Sequence, residues 1–98
     1  MGYPVKHAPA KTDSITRVSG SASNVTLIAA NASRRRETIV NDSSATLYVK
    51  FGETASITDY SYKLEVNQTL EFPAPVYTGI VDGIWSSATG AAQCTEAV

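Results

Sequence analysis

Two side chains on which protein chemistry often depends are almost missing: the 98-residue chain holds one cysteine, Cys94, and one histidine, His7. A lone cysteine forms no intrachain disulfide, and one Cys with one His cannot assemble a zinc cage. Leucine is scarce, with four copies, and no apolar run approaches the roughly 20 residues of a membrane-spanning helix. The Met1 end lacks the apolar region of a signal peptide, so the sequence points to a soluble chain made inside the cell. Charge of one sign is lacking too. Eight basic against nine acidic side chains leave a net charge of -1, whereas a grip on nucleic acid needs a basic stripe to displace counterions from phosphates. Neither nucleic acid nor a membrane is an expected partner.

What the chain has is β-branched side chains. Val, Ile and Thr supply 26 of the 98 residues, and their stiffness at χ1 suits a pleated surface better than a helix. Short runs of them alternate with Ser, Gly, Asn, Asp and Pro clusters every 8 to 12 residues, the spacing of a sandwich or barrel. No amphipathic stretch of helical period interrupts them. The expected fold is all-β: one small antiparallel β-sandwich or barrel, jelly-roll-like, of about eight strands.

Residues 1–14 carry two of the four prolines and no sustained period, so they read as an extended N-terminal arm, with residues 15–98 forming the sandwich domain. Candidate strands follow at 15–18, 25–30, 37–41, 45–51, 63–66, 69–72, 76–85 and 91–97. In the cleanest of them Leu47, Val49 and Phe51 share one face while Tyr48 and Lys50 share the other, the alternation of a half-buried antiparallel strand. The same logic turns Leu64, Val66, Leu70 and Phe72 inward. Asn67-Gln68 reads as the turn of a tight hairpin between two of these runs, and Pro73 and Pro75 end the second run because neither can donate to a ladder. Gly79 and Gly83 mark a bulge or a close backbone approach.

Catalytic constellations are thin. Cys94 has no imidazole other than His7, in the arm, to activate it, and it reads as a small buried strand residue. Glu65, Glu71, Asp59 and Asp82 show no spacing that pairs an acid with a base, and the glycines match no phosphate-binding fingerprint. No enzyme activity, metal or cofactor is expected. The one charge run, Arg34-Arg35-Arg36, reads as a solvated cluster or as a bidentate grip on a carboxylate-lined partner. Tyr60 and Tyr62 share parity and read as interface anchors, since Tyr supplies contact area at low entropy cost. Trp85 reads as core or interface, and Tyr3 and Val5 would serve as contacts along the arm.

The run Arg34-Arg35-Arg36-Glu37-Thr38-Ile39-Val40-Asn41-Asp42-Ser43 is followed by Leu47-Tyr48-Val49-Lys50-Phe51-Gly52 and Pro73-Ala74-Pro75-Val76-Tyr77-Thr78-Gly79. Gly83-Ile84-Trp85 and a terminal Thr95-Glu96 complete the series. Over residues 25–98 this pattern resembles small virion structural proteins of tailed bacteriophages. The resemblance implies a compact β-sandwich on the phage particle, assembled in the host cytoplasm. Its favoured station is the capsid surface, as a decoration or cement protein on the major capsid protein, with self-association into a closed oligomer, a trimer being favoured. The alternatives are a neck, tail or baseplate adaptor and a carbohydrate-binding module.

Overall fold

The computed structural model describes residues 12–98. The arm contacts Tyr3 and Val5, and His7, lie outside the described residues. The fold is all-β, with eight strands: β1 (Asp13–Ser19), β2 (Val25–Ile28), β3 (Arg36–Asp42), β4 (Leu47–Phe51), β5 (Tyr62–Leu64), β6 (Thr69–Glu71), β7 (Val81–Trp85) and β8 (Ala91–Ala97). They form two four-stranded antiparallel sheets, in the orders β1-β8-β3-β6 and β2-β7-β4-β5.

The order has a simple logic. β1 pairs with β8, β2 with β7, β3 with β6 and β4 with β5, all antiparallel. The chain is thus one long hairpin with its tip between β4 and β5. Rolling that hairpin joins β3 to β8 and β4 to β7 and splits the ladder into two facing sheets. This is the jelly-roll arrangement of two Greek keys.

Strand parity places the core between the sheets. Ile39, Leu47, Val49 and Val81 are fully enclosed, and Leu27, Leu64, Leu70 and Phe72 complete the layer. Cys94 is buried on β8 opposite Ile39. Burial pushes its thiol pKa up to about 12, with the Glu37 carboxyl adding to the rise, so the sulfur stays protonated and is a core atom.

The structure corrects the reading of the middle segment in three places. Val66 is 48% exposed, because β5 ends at Leu64 and a turn follows in which Asn67 takes a left-handed φ of 65°. Asn67-Gln68 is not the turn of a hairpin, since β5 and β6 belong to different sheets; it is the corner where the chain crosses from one to the other. In β2 the register slips between Thr26 and Ile28, and this bulge turns both Leu27 and Ile28 into the core, against the simple alternation. The glycine signal at 83 is explained here, since a side chain on Gly83 would collide with Leu27.

Asn41, enclosed at the end of β3, ties the corner together. Its Nδ2 donates to the carbonyls of Ala45, Leu64 and Glu65 at 2.8, 3.0 and 3.2 Å, and its Oδ1 accepts from Ser43 Oγ at 2.7 Å. One amide thereby satisfies the β3–β4 turn and the exit from β5. Asn41→Leu should cost about 2 to 4 kcal/mol by removing the hydrogen bonds this enclosed amide makes to both segments. Denaturant melts followed by the fluorescence of Trp85, the sole tryptophan, measure the loss, and an unchanged midpoint would contradict this role.

Candidate functional site

Two polar clusters and one exposed patch stand apart from the core. The first lies at one end of the sandwich and centres on Arg34. Its turn is built locally: the Asn31 side chain accepts from the Ser33 amide at 2.9 Å, and the Arg34 amide donates to the Asn31 carbonyl at 3.0 Å, an Asx turn of the kind Asn favours. That turn aims the Arg34 side chain between the sheets, where it is fully enclosed. Nε donates to Glu96 at 2.8 Å, Nη1 to the carbonyls of Tyr77 and Gly79 at 2.7 and 3.2 Å, and Nη2 to that of Ala29 at 2.7 Å. The guanidinium fork joins β8 of one sheet to the segments flanking β2 and β7 of the other.

Glu37 and Glu96 face each other across the β3–β8 ladder, both on the inner face, a like-charge pairing that is unfavourable if both ionise. Arg34 resolves it unequally. Glu96 takes the short bond and a second one from Asn31 Nδ2 at 3.2 Å, while Glu37 lies 3.9 Å from Nε with both carboxyl oxygens unbonded and its side chain fully enclosed. That separation is too long for a hydrogen bond. Burial raises the Glu37 pKa to about 8; Arg34 opposes the rise and Glu96 adds to it. Desolvation wins because the Arg34 donors are spent on other oxygens, so at neutral pH Glu37 is a neutral acid. Glu37, Glu96 and Cys94 line one wall of an open cleft of about 310 Å³ beneath Ser14 and Thr16 of β1.

The second cluster organises residues 52–61, which fold over the outer face of the second sheet. Asp82 points outward from β7 yet is 3% exposed, because it accepts from Asn24 Nδ2 and Thr26 Oγ1 at 3.0 Å each and from the Thr54 amide at 2.7 Å. Asn24 Oδ1 in turn accepts from the Ala55 amide at 2.8 Å. Thr54 sits at φ 62°, a conformation costly for a branched residue, and the bond to Asp82 offsets that cost. A Lys50–Asp59 ion pair at 2.6 Å and a Ser56–Asp59 bridge shape the rest.

The loop carries the patch. The Tyr60 ring rests against Tyr48 at 4.9 Å between centroids, with Lys63 Nζ over the Tyr48 ring, 5.9 Å from its centroid. Tyr60 is 40% and Ile57 59% exposed. Tyr62 does not join them. It is half-buried in β5 and packs on Phe51, whose ring also stacks on Tyr77.

The sequence-predicted site residues therefore scatter. Arg34 is neither solvated nor available to a partner, because its donors are consumed inside the fold. Arg36 is exposed and paired with Glu71 at 2.8 Å, and Arg35 is exposed with its amide bonded to Ala97. Trp85 is 1% exposed in the core, so it presents nothing to an interface. Tyr60 alone of the described set faces solvent as an aromatic anchor. Asp82, Asn24 and Ile57 were missed as organisers of its surroundings. Asp82 lies between Val81 and Gly83, and an acid inside so apolar a run is the one signal that could have found it. Comparison with known protein families, with curated proteins and with solved structures finds no match.

Two outcomes follow from this geometry. Arg34→Met should destabilise the fold by about 3 to 5 kcal/mol, and Arg34→Lys should rescue little of it, since a point charge cannot serve four acceptors; chemical denaturation reads both. Between about pH 4.5 and 8 the folded chain holds a proton on Glu37 that the unfolded chain has lost. Stability from this group therefore falls as pH rises through that window and levels off above it. Glu37→Gln should flatten the slope of stability against pH, and identical slopes for the two proteins would refute the assignment.

Proposed function

We propose that this chain is a non-enzymatic structural protein of a tailed-phage particle, a decoration or cement protein that binds the outer surface of the major capsid protein and stabilises the head. The observation that carries the reading is the platform formed by residues 52–61. An exposed isoleucine and tyrosine are held on a loop pinned from beneath by Asp82 and Asn24, so a partner can dock on them without ordering the loop first. A pinned apolar and aromatic surface rimmed by Lys50, Asp59 and Lys63 has the anatomy of a protein-binding patch. Jelly rolls recur in viral capsid and lectin domains, an analogy at the level of fold, and the resemblance over residues 25–98 directs it to the virion. Self-association belongs to the same reading.

Quantitative mass spectrometry of purified particles tests the address. Hundreds of copies per particle fit the shell, and a dozen or fewer fit the neck, tail or baseplate. Absence from the particle overturns the reading, and specific hits on a glycan array would turn it toward carbohydrate binding. Ile57→Asp and Tyr60→Ala should each weaken attachment to heads by about tenfold or more, the loss typical of a buried anchor. Their melting temperatures should stay near that of the parent chain, because neither side chain enters the core. Full attachment by both variants would remove the patch from the interface.

A further inference from the structure

Of the four strands at sheet edges, three are poor templates for pairing: β5 and β6 have three residues each, and β2 has four with a bulge. Short or bulged edges are a usual protection against unwanted strand addition. β1 differs. It has seven residues without proline or glycine and pairs with β8 in unbroken register from Asp13 to Ser19. All its residues except Val18 are exposed, and among the described residues no strand lies along its outer edge.

The ladder fixes which groups that edge offers. Thr12 exchanges backbone bonds with Val98 at 3.2 and 2.8 Å, and the Gly20 amide donates to Gly90 at 2.8 Å. Hydrogen-bonded pairs alternate along an antiparallel ladder. The even-numbered residues of β1 are therefore engaged with β8, and the amides and carbonyls of Asp13, Ile15, Arg17 and Ser19 point outward. An antiparallel neighbour must match outward groups with outward groups. Asp13, Ile15 and Arg17 also share the outer face, opposite in charge at the ends and apolar in the middle.

We propose that β1 is the contact through which two copies of this chain associate, antiparallel about a two-fold axis at Ile15, joining two four-stranded sheets into one of eight. In this register Asp13 lies opposite Arg17 of the second copy, Ile15 opposite Ile15, and Arg17 opposite Asp13. Both charge pairs are attractive, and Ile15, 69% exposed in the single chain, is covered. Sliding by one hydrogen-bonded step places Ile15 opposite Arg17 and forfeits both charge pairs, so the charges select the register. Arg17 already holds Asp42 at 2.8 Å, with both side chains more than half exposed, and its fork has donors for a second carboxylate. Such a contact is isologous and closes at two copies, in place of the trimer favoured by the sequence. It does not depend on the address proposed for the protein.

Sedimentation equilibrium of the full chain up to ~100 µM tests it, a range that detects even a weak dimer. The expected result is twice the chain mass. Asp13→Arg and Arg17→Asp should each weaken the dimer by about tenfold or more, since each turns two facing pairs from attraction to repulsion. Mixing the two variants should restore association as a heterodimer, because every facing pair is again opposite in charge. Ile15→Cys should oxidise to a covalent dimer, as the expected Cα separation of about 5.5 Å is within disulfide range. A monomer throughout the range overturns the proposal. So does a dimer indifferent to both charge variants, which would place the contact elsewhere, such as the Tyr60 patch.

Discussion

One buried guanidinium determines how this sandwich closes. Two sheets with apolar inner faces adhere along most of their length, but near the start of β3 and the end of β8 the inner face turns polar, with Glu37 and Glu96 opposed. Left alone, the enclosed Glu37 carboxyl beside the partly buried Glu96 would pry that end apart or draw in water. Arg34 prevents this by bonding Glu96 and three carbonyls from the opposite side of the sandwich. The charge is compensated and the orphaned backbone acceptors are satisfied in one step. A buried ion pair of this kind adds little net stability compared with a well-packed apolar substitute, but losing one partner is costly.

The inequality between the two acids follows from the same arrangement. The guanidinium cannot serve both at hydrogen-bond distance, so Glu96 takes the short bond and Glu37, left without one, keeps its proton. Stability then rises toward acid through the window of Glu37, opposite to the usual behaviour of a salt-bridged carboxylate. A single site thus couples the closure of the fold to pH without any histidine.

Asp82 does for the outer surface what Arg34 does for the interior. It gathers three donors from two segments and fixes a loop that would otherwise carry a strained Thr54 and loose backbone amides. The consequence is that Ile57 and Tyr60 are exposed on an already ordered loop, while the edge strand β1 presents outward-facing backbone groups. In the two proposals one surface is met through side chains and the other through a strand, so the contacts do not compete for the same groups.

Strand content, the number of strands and the sandwich class were legible because β-branched composition, turn clusters and period-two alternation all act locally. β8 was read to the residue, as were Leu47, Val49, Leu70 and Phe72 as core positions. Cys94 was legible as a buried thiol from the chain alone. Partner choice among strands was not legible: the β5–β6 segment looks like a hairpin locally, and only the closing of the long rolled hairpin sends its halves to different sheets. Arg34 could not be distinguished from Arg35 and Arg36 because adjacent guanidiniums share composition and charge; what separates them is an Asx turn that points one inward, toward an acid 62 residues away in sequence. Local chemistry set the elements, and contacts between distant segments decided which polar groups were enclosed, since burial is a property of the whole assembly of strands.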